Sequence, residues 1–241
     1  MTSQSETGHA KNIQAFKTIL SYCQGYGAAY NPPTTVLELA NLQTHLTNAQ
    51  NALVDSIKKQ TILTNTTNQR QLAYQNLQAL ATKIINALTI SGVSQNTLDS
   101  AKTITRKIQG QRATPIAEPA DPNQPQANTS SVSQLSYSNQ AQHLSTLIEL
   151  LSTLPEYKPN ETELQLASLQ TYHTTLQTSN TNVTEAQTNW SNSRIDRNNQ
   201  LYAPGTGLLA TAKNIKAYIK SLYGPSSPQY KQLSTLQFSK P

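Results

Sequence analysis

The chain repeats part of its own sequence, and this internal duplication constrains its fold more than any other feature. A stretch that begins at Tyr30 recurs at Tyr157. Residues 30–50 and 157–177 are identical at 11 of 21 positions, at a constant offset of 127. Self-similarity at a fixed spacing is the signature of a chain built from repeated structural units. We therefore predict two copies of one unit of about 110–125 residues, within the usual size of a domain.

A proline-rich stretch separates the two copies. Residues 114–133 contain four prolines and almost no large apolar side chains, a composition that excludes a helix interior and favours an extended linker. We predict a first repeat unit at residues 1–113, this linker at 114–133, and a second repeat unit at 134–241. Other segments of the two copies also correspond. Residues 12–20 resemble residues 139–148, residues 81–88 resemble residues 212–219, and Gly92 occupies a position parallel to that of Gly224.

Apolar residues recur every three or four positions in both copies, which is the period of an amphipathic helix. In the first copy this row begins at Leu39 and keeps its phase as far as Leu88. In the second copy a long helix is expected to end at the Pro-Gly sequence of residues 203–207, with a shorter helix at 208–223. The pattern predicts an all-α fold, an elongated helical bundle of two tandem-duplicated helical units with long amphipathic helices.

Polar residues interrupt the first row near residues 64–67, so two structures are consistent with it. Either the chain turns there into a helical hairpin, or one helix of about 50 residues runs from 39 to 88. The stretch contains no glycine or proline, and Asn and Thr lower helix propensity by only tenths of a kcal/mol each. These observations favour the continuous helix.

Three arginines, Arg70, Arg194 and Arg197, fall on the apolar rows of the long helices and form a possible polar seam. A buried guanidinium needs a carboxylate or carbonyl partner, because an unpaired buried charge costs several kcal/mol. Asp55 and Asp196 are candidate partners. Alternatively, the helices separate there and the guanidiniums reach water. An enzymatic site that sequence motifs do not reveal would be sought at this seam.

The sequence contains no recognisable catalytic, cofactor-binding or metal-binding motif. Its one cysteine, Cys23, excludes an internal disulfide, and its four histidines lack metal-ligand spacing. The 12 acidic residues are scattered, whereas general acid–base chemistry needs groups that converge on one substrate. We predict no catalytic residue, no cofactor and no metal. Cys23 is expected to be a buried, inert thiol, and Tyr30 and Tyr157 are expected to fasten the start of each long helix.

Neutral polar side chains replace charged ones over much of this chain. Ser, Thr, Asn and Gln account for 101 of 241 residues, whereas charged residues make up 12%. The net charge is +6, but 18 dispersed Lys and Arg residues do not form a dense basic surface, so nucleic acid is not expected as a partner. The absence of a long apolar run and of a signal-peptide pattern predicts a cytoplasmic location.

Weak charge repulsion suits a subunit that assembles. The leading hypothesis is therefore a non-enzymatic structural or protein-interaction protein whose partners are proteins, with self-association first among them. Two alternatives remain open, a membrane-active or surface-associated helical protein and an enzyme with an unrecognised site.

Short motifs in both copies suggest a family. The first copy contains Asn68-Gln-Arg-Gln-Leu, Leu80-Ala-Thr-Lys-Ile-Ile and Gly92-Val-Ser, and the second contains Leu201-Tyr-Ala-Pro-Gly-Thr-Gly-Leu-Leu. Near the C-terminus, Gly224-Pro-Ser-Ser-Pro-Gln-Tyr follows the pattern Gly-x-x-Ser-Pro-x-Tyr. Together they resemble uncharacterised helical proteins of bacteria, often Bacteroidetes or cyanobacteria. The resemblance implies a bacterial, duplicated all-α protein and no particular activity.

Overall fold

A computed structural model describes residues 8–111 and 135–240, and every regular element within these ranges is helical. The helices are α1 (His9–Gly25), α2 (Leu39–Tyr74), α3 (Leu77–Ile90), α4 (Gln95–Gln109), α5 (Tyr137–Ser152), α6 (Leu166–Tyr202), α7 (Leu208–Tyr223) and α8 (Pro228–Ser234), with 3-10 helices at Gly27–Ala29, Thr35–Leu37 and Thr162–Leu164. The predicted all-α class is confirmed. The predicted linker at 114–133 lies outside the described residues.

Helix α2 continues through residues 64–67 but ends at Tyr74, so neither sequence-based alternative is correct in full. The hairpin is wrong, and the continuous helix to residue 88 is interrupted. The amide of Gln75 bonds to the Leu72 carbonyl (3.2 Å), which tightens the last turn, and the amide of Leu80 bonds to the Asn76 carbonyl (2.9 Å), which begins α3. Only two residues separate the helices, too few for apolar periodicity to reveal the break.

The predicted end of the second long helix is confirmed at Tyr202, and α7 has the predicted bounds. A close backbone approach explains the glycine that precedes α7. The amide of Gly207 donates to the Ala203 carbonyl at 2.8 Å. A Cβ on Gly207 would lie 2.5 Å from the Ala203 nitrogen, so a larger residue does not fit this turn without backbone movement.

Contacts divide the chain into two compact units that differ from the predicted repeats. Unit 1 is Met1–Leu63 with Ala186–Pro241, and unit 2 is Thr64–Glu185. Each long helix therefore contributes one part to each unit. The predicted division at 114–133 remains a statement about sequence repeats, because each compact unit takes residues from both predicted copies.

In unit 1, α1, the first part of α2, the last part of α6, α7 and α8 surround one core. Burial of each large apolar side chain contributes roughly 1.5–3 kcal/mol. The fully enclosed members, all at most 2% exposed, are Phe16, Ile19, Leu20, Cys23, Leu42, Ala49, Leu201, Leu208, Ala212, Ile215, Ile219 and Leu233.

In unit 2, the last part of α2, α3, α4, α5 and the first part of α6 surround a second core. Its fully enclosed members, also at most 2% exposed, are Leu77, Ala81, Ile84, Leu88, Ala101, Ile108, Leu144, Leu147, Leu151, Leu169 and Leu176. Both cores are rows at three- and four-residue spacing, as the periodicity predicts.

A buried tyrosine fastens the segment before each long helix. The Tyr30 hydroxyl donates to the Leu37 carbonyl at 2.8 Å, and the Tyr157 hydroxyl donates to the Leu164 carbonyl at 2.9 Å. Both rings are at most 7% exposed. The two tyrosines thus have the structural contacts that their repeated position predicts.

Candidate functional site

The three arginines of the predicted seam lie in different units. Arg70 is on the part of α2 in unit 2, whereas Arg194 and Arg197 are on the part of α6 in unit 1. Their predicted carboxylate partners, Asp55 and Asp196, form no ion pair with them in the described residues. The ion pairs present there, Lys83–Glu163 and Lys102–Asp99, involve other helices.

Arg70 packs on an aromatic ring. Its guanidinium carbon lies 4.3 Å from the centre of the Tyr137 ring, a distance at which the ring quadrupole attracts the cation. Its Nε atom is buried and has no hydrogen-bond partner among the described residues. Arg70 is therefore held by stacking rather than by a carboxylate.

Arg194 and Arg197 have different surroundings. Arg194 is exposed, and its guanidinium carbon lies 4.8 Å from the centre of the Trp190 ring. Arg197 is half-buried; it donates to Asn198 Oδ1 from Nε (3.2 Å) and from a terminal nitrogen (2.9 Å), and to Ser56 Oγ at 3.4 Å. Arg194 therefore fits the alternative in which the guanidinium reaches water. Arg197 instead links α6 to α2 through its hydrogen bond with Ser56.

A cluster of polar side chains joins the start of α1 to the end of α6 in unit 1. His9 Nδ1 and the Tyr202 hydroxyl lie 2.7 Å apart, and the two ring centres are 5.6 Å apart. Asn12, which is 1% exposed, donates from Nδ2 to the same hydroxyl at 3.2 Å. The first and fourth residues of α1 thereby contact the last residue of α6.

Asn12 also holds the segment near the C-terminus. Its Nδ2 donates to the Ser239 carbonyl at 2.7 Å, and the Ser239 amide donates to its Oδ1 at 3.1 Å. The Asn12 side chain thus forms hydrogen bonds with both the N–H and the C=O group of one backbone residue, as a residue of a neighbouring β-strand would. Buried polar groups are retained where such bonds are complete, so Asn12 has an anchoring role.

The surroundings of His9 favour its neutral form. Burial lowers the pKa of His9, and the positive charges of Arg197 and Arg194 lower it further. A neutral ring can accept a hydrogen bond from the Tyr202 hydroxyl at Nδ1, because an unprotonated imidazole nitrogen is an acceptor. Burial raises the pKa of Tyr202, although the Asn12 hydrogen bond and Arg197 act in the opposite direction. Both groups are uncharged near neutral pH.

Unit 2 has a similar cluster at the end of α2. The Tyr74 ring lies 4.7 Å from the Tyr137 ring, centre to centre. The Tyr74 hydroxyl donates to the Tyr137 carbonyl at 2.9 Å and accepts from Asn180 Nδ2 at 2.7 Å. Arg70, stacked on Tyr137, completes this cluster. The first residue of α5 therefore contacts the last residue of α2.

These two clusters contain an imidazole, phenols, carboxamides and guanidiniums. None of the hydrogen bonds or ion pairs described there involves a carboxylate. Acid–base catalysis needs a group whose proton can reach a substrate, whereas the His9 and Tyr74 bonds described here are made to other parts of the chain. These hydrogen bonds join the ends of the long helices to other parts of the chain.

The cysteine is enclosed beside a tyrosine. Cys23 is fully buried, and burial raises its pKa to about 12, against the opposing effect of a hydrogen bond with Tyr30. A thiol with such a pKa has almost no thiolate at neutral pH, and the thiolate is the reactive form. The predicted burial of Cys23 is confirmed, and its low reactivity follows from that environment.

His45 and His143 are partly buried. His45 packs against Phe16, with ring centres 5.9 Å apart, and its Nδ1 lies 3.4 Å from the Thr211 hydroxyl. Burial lowers the pKa of His45 and of His143. Within residues 8–111 and 135–240 no group of three or more His, Cys, Asp or Glu side chains is arranged to hold a metal ion.

Sequence reasoning singled out the arginines but missed His9, Asn12, Tyr74 and Tyr202, whose hydrogen bonds form the two clusters. A signal for two of them was present, because Tyr74 and Tyr202 are 128 residues apart, close to the offset of the duplication. Asn12 lies in the repeated segment 12–20, but its role and that of His9 depend on packing against a helix that is distant in sequence.

Comparisons with protein-family models, with curated proteins and with solved structures found no match. Among the helices in the part of the chain that the structure describes, none combines the length and apolar character needed to cross a bilayer.

Proposed function

We propose that the chain consists of two fused copies of one helical repeat. We further propose that it is a non-enzymatic structural or protein-interaction protein that self-associates. The observation that carries this proposal is the crosswise pairing of elements. Unit 1 contains the elements before the middle of α2 and those after the middle of α6. Unit 2 contains the elements after the middle of α2 and those before the middle of α6.

The aromatic contacts at the helix ends support crosswise pairing. His9 and Tyr137 are 128 residues apart, and so are their partners Tyr74 and Tyr202. His9 contacts Tyr202, and Tyr137 contacts Tyr74. Each pair thus joins one residue of the first predicted copy to one of the second, with the roles of the copies reversed.

A second pair of contacts follows the same rule. Asn12 donates to the Ser239 carbonyl at 2.7 Å in unit 1, and Gln140 donates from Nε2 to the Ile108 carbonyl at 3.4 Å in unit 2. Asn12 and Gln140 are 128 residues apart, and Ile108 and Ser239 are 131 apart. A side-chain amide on the first helix of each copy therefore reaches the backbone of the other copy.

The cores repeat the pattern with apolar side chains. Four residues of α3 and four of α7 stand at a constant offset of 131, and each is at most 1% exposed. Each row belongs to the same core as the buried face of a helix from the other copy. The rows are Leu77, Ala81, Ile84 and Leu88, in one core with α5, and Leu208, Ala212, Ile215 and Ile219, in one core with α1.

Crosswise pairing gives a physical route to self-association. Because a copy recognises its complement through the same positions in both units, the complement can come from a second chain as well as from the same one. Exchange of identical elements between protomers is a low-cost route to dimers. The low charge content, 12% of residues, offers little electrostatic opposition.

The polar clusters support a role without catalysis. Matching positions carry His9 in one unit and Tyr137 in the other, two side chains with different acid–base properties. Both positions nevertheless pack against the last residue of a long helix. A position that accepts either side chain while keeping the same contact is suited to fastening helices.

Cleavage of the full-length protein tests the pairing of the copies. A recognition site for a specific protease is placed within residues 114–133, and the protein is cut under native conditions. We expect the two fragments to remain in one species on size-exclusion chromatography, because each core contains side chains of both. Fragments that separate without denaturant would contradict the pairing, and uncut protein carrying the same site is the control.

Light scattering tests association between chains. We expect a dimer at high concentration that dissociates over about a hundredfold dilution, since association responds to concentration by mass action. Warming close to the melting temperature should speed the exchange, because elements must open before they swap. A monomer at every concentration, before and after warming, would refute self-association while leaving the cleavage result intact.

A further inference from the structure

A groove between α3 and α4 in unit 2 has the size of a small-ligand site. Its volume is about 470 Å³, within the range of pockets that hold small organic molecules. The side chains that line it are mostly polar, with one large apolar residue among them. They are Thr82, Ile85, Asp99, Lys102, Thr103, Thr105, Arg106, Gln109 and Gln111.

A buried hydroxyl in this groove lacks a partner. Thr105 is 5% exposed, and its Oγ1 atom has no hydrogen-bond partner among the described residues. Other threonines beside the groove donate to the carbonyl four residues earlier, as Thr82 does to Gln78 (3.1 Å) and Thr103 does to Asp99 (2.9 Å). Leaving a buried hydroxyl unsatisfied is unfavourable, so Thr105 Oγ1 is a group that a bound molecule would satisfy.

Two cations of α4 line the same groove. A terminal nitrogen of Arg106 donates to Thr103 Oγ1 at 3.1 Å. A guanidinium has five N–H donors, so this bond leaves most of its donors for a ligand. Lys102 Nζ is 3.9 Å from Asp99 Oδ1, a distance too long for a strong hydrogen bond. Two cations and one carboxylate give the groove an excess of positive charge.

A hydrogen bond between the helices fixes the shape of the groove. Gln109 Nε2 donates to Thr82 Oγ1 at 2.8 Å, which ties α4 to α3 at the groove. Ile85 lines the groove from α3 and offers an apolar surface. Cationic, hydroxyl and apolar groups thus face one space, and the polar groups predominate.

The corresponding helix of unit 1 is covered differently. There, Lys216 of α7 donates to the Leu236 carbonyl at 2.6 Å, and its Nζ lies 5.3 Å from the centre of the Phe238 ring. A cation of α7, the helix that matches α3, is thus satisfied by the chain itself, whereas the groove beside α3 is lined by two cations of α4.

We propose that the groove between α3 and α4 binds a small organic molecule that carries one anionic group, a phosphate or a carboxylate. Arg106 and Lys102 bind the anion, Thr105 exchanges a hydrogen bond with the ligand, and Ile85 contacts its apolar part. This site is independent of the pairing of copies described above.

Titration of the full-length protein with two probes, inorganic phosphate and acetate, tests the proposal by ¹⁵N-resolved NMR. We expect amide shifts that saturate and that are concentrated in residues 95–111 and 82–85, with the tighter probe identifying the preferred anion. Arg106→Gln should weaken the tighter interaction about tenfold, as loss of a charge-assisted bond does. Binding by neither probe, or shifts spread over all basic side chains, would overturn the proposal.

Two further variants distinguish binding at this groove from a general attraction of anions to the basic surface. Lys107→Gln removes the same charge from the next position of α4, which does not line the groove, and should leave binding within about twofold of the parent. Thr105→Val keeps the side-chain shape, removes the hydroxyl and should weaken binding roughly fivefold. If Lys107→Gln weakens binding as much as Arg106→Gln does, or Thr105→Val leaves it unchanged, the assignment is wrong.

Discussion

The two units fasten the end of a long helix at matching positions but with different side chains. In unit 1, His9 packs against Tyr202, and their polar atoms lie 2.7 Å apart. In unit 2, Tyr137 packs against Tyr74, whose hydroxyl donates to the Tyr137 backbone carbonyl and not to the Tyr137 side chain. Both contacts therefore use a flat ring at the start of the first helix, while the hydrogen bond differs with the ring present.

The same comparison predicts different sensitivity to acid. Unit 1 carries a histidine at this contact, and its pKa is lowered by burial and, to a smaller extent, by the charges of Arg197 and Arg194. Unit 2 carries a tyrosine there, beside Arg70. Since a phenol does not gain a proton between pH 5 and 8 but an imidazole does, protonation at this contact destabilises unit 1 alone.

The largest expected effect comes from the cores, where Phe16 in unit 1 and Leu144 in unit 2 are matching, fully buried residues. We expect Phe16→Ala to lower the free energy of unfolding by about 4 kcal/mol and Leu144→Ala by about 3 kcal/mol, because the larger side chain leaves the larger cavity. Urea unfolding followed by circular dichroism measures both.

The fluorescence of Trp190, the one tryptophan of the chain, follows unit 1 in the same experiment. Phe16→Leu, which makes the position match Leu144, is the control and should cost less than half as much as Phe16→Ala. Equal losses for Phe16→Ala and Phe16→Leu would show that the ring is not packed as described.

A smaller effect is expected from the tyrosines that precede the long helices. Tyr30→Phe and Tyr157→Phe each remove a hydroxyl that satisfies a buried carbonyl, at a cost of about 1–2 kcal/mol. Tyr30 also has a hydrogen bond with Cys23, so its loss should be slightly the greater. Urea unfolding by circular dichroism measures the two losses.

Tyr22→Phe serves as the comparison for these variants, because Tyr22 is only partly buried and its hydroxyl takes no part in this fastening. It should change stability by less than about 0.5 kcal/mol. If Tyr30→Phe and Tyr157→Phe also change the free energy of unfolding by so little, the hydroxyl hydrogen bonds do not contribute to holding these segments.

The smallest effect is the one specific to acid, and it tests the contrast between His9 and Tyr137. The folded-state pKa of His9 lies below its ordinary value of 6.5. Its contribution to stability is therefore complete above pH 6.5 and is lost as the pH falls below 6.5 through the lowered pKa. His9→Tyr should reduce the loss of Trp190-detected stability between pH 7.5 and pH 5, by a fraction of the Phe16→Ala effect.

His45 is also in unit 1 with a lowered pKa, so part of the acid sensitivity should remain in His9→Tyr. His143→Gln in unit 2 is the matched control, because it removes another histidine of lowered pKa and should leave the Trp190 signal unaffected. An unchanged acid response in His9→Tyr would remove His9 as a cause.

The sequence predicted several structural features because they depend on local periodicity. The helical class, the end of α6, the bounds of α7 and the structural contacts of Tyr30 and Tyr157 all follow from spacing within a short stretch. The break between Tyr74 and Leu77 does not, because two intervening residues leave the apolar row in phase. The polar seam was only partly anticipated, since Arg70 and Arg197 occupy half-buried positions but contact a ring and neutral oxygens instead of carboxylates.

By itself, the sequence determined which residues form helices and which face of each helix is apolar, because hydrogen bonding and side-chain spacing within a helix are local. Only the tertiary structure decided which helices share a core. The two compact units combine residues 1–63 with 186–241 and enclose 64–185, a division that no local pattern specifies. The physical reason is that apolar burial is non-directional. Because the two copies have matching leucine rows, a row of one copy can pack against either copy, and the choice is made only when the whole chain packs.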